Sequence, residues 1–267
     1  MTEEILVLGA TGKTGRRVVR TLEAAGLTPR KASRATGFDW NDPSTWKQFL
    51  HGATATYLIA PEDPSAVAPF VEQATTSGVR RLVLLSGRGL DKTPPDVFQG
   101  MHAAEKAVRA SDLAWTVLRA NNFNQNFSEE VWQPEIEAGR LSLPVDDTPE
   151  PFVDVQDIAE VATLALTTDD HQGQTYDLTG PEGVTFTAAV SQIATATGRP
   201  IDLVKLTPAE YREALLAQGA PEEVATELNG MFEAMRTGHL ATPTDDVARL
   251  LNRPATSFET YVSETWR

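Results

Sequence analysis

Cysteine is absent from all 267 residues. That removes disulfides, thiolate nucleophiles, iron–sulfur clusters and every cysteine-ligated metal. Histidine is scarce: His51, His102, His171 and His239 are scattered with no H-E-x-x-H spacing, so no zinc site is expected. Positive charge is also short. Against 37 Asp+Glu stand 23 Lys+Arg, a net of −14, which argues against a nucleic-acid partner and its need for a basic face. No apolar run approaches the roughly 20 residues of a membrane span. The polar Thr2–Glu4 start, followed by only four apolar residues, does not read as a signal peptide. The expectation is a cytoplasmic protein, monomer or homodimer, without membrane or nucleic-acid partners.

The charge is uneven. Residues 1–120 hold 15 Lys+Arg and 12 Asp+Glu (+3), while residues 121–267 hold 8 and 25 (−17). With 41% apolar and 22% charged residues the composition is that of a globular protein, long enough for one large α/β domain with a smaller lobe.

Ile5–Leu8 is a fully apolar run, the pattern of a buried parallel strand. It enters Gly9-Ala10-Thr11-Gly12-Lys13-Thr14-Gly15, after which Arg16–Ala25 reads as a helix stopped by Gly26. A weak strand is expected over Thr28–Ser33, with Gly37–Trp40 following too closely for a crossover helix between them. Further strands are expected at Thr56–Ala60, Arg81–Leu85, Trp115–Leu118 and Thr175–Leu178. Helices are expected at Ser44–His51, Ser65–Ser77, Phe98–Ser111 and Phe127–Ala138. Asp157 reads as the N-cap of a helix over Ile158–Leu166. Three more helices, Thr187–Thr197, Pro208–Gln218 and Glu222–Thr237, close the reading. The alternation predicts an α/β fold, a doubly wound parallel Rossmann-type sheet, with a small, mostly helical C-terminal lobe. The division expected is a nucleotide-binding core over 1–120, then 121–267 returning to the sheet and building a substrate-capping lobe. Trp132, Phe186, Tyr211, Met231, Phe232 and Met235 are its candidate core.

The G-x-x-G-x-x-G turn is the strongest chemical signal. Its first glycine permits the tight turn, its second lets backbone approach a pyrophosphate, and its third lets helix and strand pack closely. A purely structural turn is the plain alternative. It is not a P-loop, because Val7 stands where the first glycine of that motif belongs.

Val7–Arg16 resembles the opening of the NmrA-like, atypical branch of the short-chain dehydrogenase/reductase superfamily. Arg81–Ser86, His102–Lys106, Trp115–Phe123 and Phe152–Ala159 fall where that family has its central strand, active-site helix, following strand and loop, and "VDVRDIA" element. The resemblance covers nearly the whole chain and is close to a bacterial NAD(P)H-dependent reductase-like subgroup, related to quinone reductase-like, azoreductase-like and ergot-alkaloid reductase-like proteins. It implies an NAD(P)-binding Rossmann fold, and it leaves the substrate open.

An NAD site usually has an acid at the end of the second strand to bind the ribose 2′-hydroxyl. Here Arg30-Lys31-Ala32-Ser33-Arg34 carries none. By the resemblance, Ser33 and Arg34 lie beside a 2′-phosphate, which a guanidinium grips bidentately, and Lys13 adds charge. NADP(H) is therefore preferred over NAD(H), although a basic cluster is also what a solvated face looks like. The resemblance also implies Asp39 near the adenine and Ala60 and Pro61 beside the ribose or nicotinamide. Gly9, Thr11, Gly12, Lys13, Thr14 and Gly15 complete the expected cofactor contacts.

The better-known short-chain enzymes place Tyr-x-x-x-Lys on a helix, one turn apart and so on one face. This chain has His102-x-x-x-Lys106. The resemblance gives Lys106 a ribose contact. His102 is either a proton donor or substrate contact, as an imidazole allows, or a polar residue without chemistry. Ser86, at the carboxyl end of a strand, matches the family serine or is a capping residue. These three are the catalytic candidates; Asn121, Asn122 and Phe123 are candidates to line a nicotinamide pocket. Hydride transfer to a quinone, azo, imine or enone acceptor needs mainly orientation and a dry pocket, so the missing tyrosine fits that chemistry. The leading expectation is an NADP(H)-dependent reductase of a small apolar or aromatic organic molecule. A non-catalytic NADP(H)-binding sensor or regulator of NmrA type is the alternative; an epimerase-like enzyme is disfavoured for want of the tyrosine.

Overall fold

The computed structural model describes residues 4–94 and 96–266, so Thr2 and Glu3 of the polar start lie outside it. In chain order the elements are β1 Ile5–Leu8, α1 Gly15–Ala24, β2 Arg30–Ala32, α2 Trp46–Leu50, β3 Ala55–Ile59, α3 Val67–Thr76, β4 Arg81–Gly87, α4 Gln99–Ala110 and β5 Ala114–Ala120. There follow α5 Gln133–Glu137, β6 Arg140–Leu143, α6 Val155–Thr167, β7 Gln174–Leu178, α7 Phe186–Thr197, β8 Asp202–Lys205, α8 Pro208–Ala217, α9 Glu222–Arg236, α10 Asp246–Leu251 and α11 Phe258–Thr265. None of these helices is long and apolar enough to cross a membrane.

The chain forms two compact units. The first takes the described residues within Met1–Leu90, Phe98–Ala120 and Val155–Leu178; the second takes those within Asp91–Val97, Asn121–Asp154 and Thr179–Arg267. The chain thus changes unit at Ala120, returns to the first over α6 and β7, and lends Asp91–Val97 to the second.

The first unit is a six-stranded sheet in the order β2-β1-β3-β4-β5-β7, parallel throughout. Its strands are short and apolar because both faces are covered. Leu6, Leu8, Leu58, Leu82, Leu84 and Val117 point to one face, where Phe49, Val67, Phe70, Ala104 and Val108 of α2, α3 and α4 meet them. α1 and α6 pack together on the other face, and all four residues of β1 are buried. Gly37–Trp40 is not a strand. Phe38 is buried there edge-on to Trp40, Phe49 and Phe70, and the connection to β3 runs through short 3-10 turns and α2. No α-helix lies between β2 and Phe38, as expected, and the crossover to β3 is made by α2, inside the expected Ser44–His51.

The second unit is built around aromatic rings. Phe186 stands 5.1–6.3 Å from Phe127, Trp132, Phe152 and Phe232. Trp132, Phe186, Tyr211, Phe232 and Met235 are buried in this cluster and Met231 packs against it. Beside it lies a parallel pair, β6 and β8, which the sequence reading did not contain, nor did it contain α10 and α11. The helix expected over Phe127–Ala138 shrinks to Gln133–Glu137, because Pro134 belongs in a first turn and not in a helix interior. α6 begins at Val155, so Asp157 is a fully buried first-turn residue and not the N-cap.

Candidate functional site

The sheet order fixes where ligands are expected. β1 connects to β2 on one side and is flanked by β3 on the other, a topological switch whose carboxyl ends carry the glycine turn and Ala60-Pro61. Gly9 has φ +63, a left-handed conformation that glycine adopts without strain. Its carbonyl accepts from the Gly12 N–H at 2.8 Å, and a Cβ on Gly15 would overlap that carbonyl. Arg16 and Val18 donate to Gly12 and Thr14 at 3.0 Å. Among the described residues the N–H groups of Thr11, Thr14 and Gly15 have no backbone acceptor. Thr14 is the α1 N-cap residue, and its side chain does not cap the helix. A turn with open donors at a helix N-terminus fits a dinucleotide pyrophosphate.

The basic cluster sorts itself. Arg30 donates to the carbonyls of Phe49 and His51 at 2.7 and 2.6 Å and pairs with Glu4, so it clamps the α2 end. Lys31 pairs with Glu23 at 2.8 Å. The Lys13 carbonyl accepts from Arg17 at 3.0 Å. Arg34 is exposed and has no side-chain hydrogen bond or ion pair among the described residues; it opens a 3-10 turn, Arg34–Thr36, straight after β2. Ser33 before it is buried, its N–H donating to Thr36 Oγ1 at 2.8 Å. Asp39 is exposed, with Oδ1 accepting from Asn41 N–H at 2.9 Å, which makes it a turn residue in this structure.

α4 meets the sheet through contacts that the sequence reading missed. A Cβ on Gly100 would overlap the Pro61 carbonyl, so the first turn of α4 rests directly on the backbone after β3. Phe98, just before the helix, holds a left-handed φ of 55 that is uncommon outside glycine, and its carbonyl accepts from His102 N–H at 3.1 Å. His102 is half-buried and Lys106, one turn on, is exposed. Between them Glu105 is only 7% exposed. Its Oε1 accepts from Ser86 Oγ at 2.8 Å and Arg119 Nε at 2.9 Å; its Oε2 accepts from Arg119 Nη2 at 2.8 Å and Arg109 Nη2 at 3.2 Å. Burial alone would raise the Glu105 pKa. The hydrogen bonds from Arg119 and Ser86 and the charges of Arg119 and Arg109 outweigh it and hold the group below the usual range. Ser86 has its proton turned to Glu105, which leaves its oxygen as an acceptor.

Asn122 and Phe123 lie in the second unit. Asn121 and Asn122 donate to Oε1 of the buried Glu150 at 2.7 and 3.0 Å, and Asn122 also reaches Met235 Sδ at 3.3 Å. Phe123 bridges to Val153. This unit also holds a cavity of about 360 Å³, lined by Trp132, Glu135, Leu143, Tyr211 and Leu215 among others and by none of the expected site residues. Burial, then the nearby Glu135 charge, pushes the Tyr211 phenol up to about 12.

The structure therefore gathers the glycine turn, Ser33, Arg34, Ala60, Pro61, Ser86, His102 and Lys106 in the first unit, while Asn122 and Phe123 fall in the second. Residues 9–169 match a family model described as NAD(P)H-binding. The NAD(P)H azoreductase of Xenophilus azovorans is 29% identical, covering 95% of each chain. Among solved structures, an NADPH-dependent quinone oxidoreductase from Escherichia coli superposes with a TM-score of 0.80 at 21% identity, over 98% of this chain and 100% of that one. NmrA, a negative transcriptional regulator in complex with NAD, gives 0.72 at 17% identity, over 100% and 96%. At those identities the structural likeness is one of fold. The chain belongs to the NAD(P)H-binding family, and its parallel six-stranded sheet is of Rossmann type.

Proposed function

We propose that this protein is an NADP(H)-dependent reductase that passes a hydride to a small organic acceptor of quinone, azo, imine or enone type. The observation that carries it is the open glycine turn after β1 with the unengaged Arg34 after β2. Together they offer N–H donors to a pyrophosphate and a guanidinium to a 2′-phosphate. NADPH, when bound, supplies the hydride. The turn residues Gly9–Gly15 hold its pyrophosphate, Ser33 and Arg34 the 2′-phosphate, Lys106 the ribose, and Ala60 and Pro61 flank the ribose or nicotinamide. Asp39, whose Oδ1 accepts one bond from Asn41 N–H, keeps acceptor sites for an adenine contact. His102 is the proton donor to the reduced acceptor, because the Ser86 proton is committed to Glu105.

The first unit is the cofactor domain in this reading, and Asn122 and Phe123 keep the role of nicotinamide-pocket candidates. The azoreductase relative and the quinone oxidoreductase fold neighbour support acceptors of that class. The test follows NADPH absorbance against quinones, azo dyes, imines and enones. Turnover of at least one class, reduced by His102→Ala and Lys106→Ala, is the expected result. Tight NADPH binding with no acceptor reduced would instead favour an NADP(H)-binding regulator, a reading that His102 in place of the tyrosine and the likeness to NmrA support.

A further inference from the structure

Lys106 is exposed and makes no ion pair or hydrogen bond among the described residues, so something else sets the direction in which it projects. Its neighbour Glu105 is the one charged α4 side chain that is buried. Ser86 on β4 and Arg119 on β5 are register partners, side by side on one face of the sheet, and Glu105 comes down from the helix onto both. Arg109, one turn on, donates to Thr175 on β7 at 2.8 Å and lies 4.8 Å from the Trp115 ring centre. One carboxylate therefore joins α4 to two strand ends, and its partner arginine carries the link to a third strand.

We infer that Glu105 is a positioning residue for the cofactor site, fixing the rotation of α4 so that Lys106 and His102 present one face to the ligand. At about 100° per residue, Lys106 lies roughly 100° and His102 roughly 60° round the helix from Glu105, both on the same side. Rotation about the Glu105 anchor therefore moves the two together. A bidentate guanidinium–carboxylate pair suits this task, since it fixes orientation as well as distance. Gly100 sets how closely the helix approaches the sheet; Glu105 sets how far it is turned.

The inference rests on the reading of Lys106 as a ribose contact, and its test reads NADPH affinity, which needs no acceptor. The intact chain and its Glu105→Gln, Lys106→Ala and double variants are titrated with NADPH by nicotinamide fluorescence, with thermal unfolding in parallel. Each single variant is expected to weaken NADPH by about fivefold or more, and the double variant to be no weaker than Lys106→Ala alone, because side chains acting through one another are not additive. A lowered melting temperature with unchanged NADPH affinity for Glu105→Gln overturns the inference. So does a double variant whose losses multiply, or a Lys106→Ala that binds normally. If Glu105→Gln does not fold, Arg119→Lys, which keeps the charge and loses the fork, is expected to show the same non-additivity, and multiplying losses there count against it equally. No nucleotide binding by the unsubstituted chain overturns the cofactor reading itself, a failure visible without any variant.

Discussion

The first unit sets 14 Lys+Arg against 15 Asp+Glu around a six-stranded parallel sheet. The second sets 9 against 22 around a cluster of aromatic rings, so the net charges are −1 and −13. The division at residue 120 concealed part of this, since the returning stretch Val155–Leu178 carries acids of its own. The two units also use their charges differently. In the first, Arg30, Arg81, Arg109 and Arg119 are tied to carbonyls and carboxylates, and Arg34 is exposed with no side-chain partner among the described residues. In the second, much of the negative charge is solvated, with Glu150 and Asp154 buried as acceptors for amide side chains. A phosphate-rich cofactor and an uncharged or cationic acceptor suit these two fields.

Phe186→Ala should have the largest effect. Its ring is buried among four others, and its removal is expected to cost the second unit about 3–5 kcal/mol in urea unfolding. If the units are energetically separable, the folded fraction keeps its NADPH affinity, whereas a parallel loss of affinity would break the comparison. Gly15→Ala is the counterpart in the first unit. Overpacking against the Gly9 carbonyl is expected to cost about 1–3 kcal/mol, and NADPH binding should fall beyond detection. Retained binding would mean that the turn is structural only.

A smaller contrast is expected with pH. The Glu105 pKa lies below its ordinary 4.5, so its stabilising contribution is complete above that pH and is lost as pH falls through the lowered value. Glu105→Gln should flatten the acid limb of a stability-versus-pH curve. Asp146 in the second unit is also lowered, chiefly by the Thr148 N–H, but it is nearly all in solvent, and Asp146→Asn should leave the limb unchanged. Equal flattening by both would place the acid sensitivity outside the Glu105 network. The smallest effect concerns acceptors. A sulfonated quinone should show a higher KM than its neutral parent at low salt, and the difference should shrink as ionic strength rises.

The sheet was legible because parallel strands buried on both faces leave short apolar runs, such as Ile5–Leu8 and Arg81–Leu85, and helices between them leave caps and glycine stops. β6 and β8 were not. Arg-Leu-Ser-Leu is a four-residue alternation and Asp-Leu-Val-Lys has no alternation at all, and each is a strand only because the other, some sixty residues away, pairs with it. The glycine turn and Arg34 could be read locally. Glu105 could not, since a glutamate in a helix reads as solvated until the fold sets it against Ser86 and Arg119. Gly100 left a signal that went unused: glycine inside a helix commonly marks a close backbone approach, here to Pro61.

Paired titrations with NADPH and NADH, of the unsubstituted chain and of Arg34→Ala, test the central claim most directly, that the first unit is a site for the phosphorylated nucleotide. The account predicts NADPH tighter by about tenfold or more, and a gap that closes in Arg34→Ala with NADH affinity unmoved. Equal affinities in the unsubstituted chain, or a gap that survives the loss of Arg34, would contradict it.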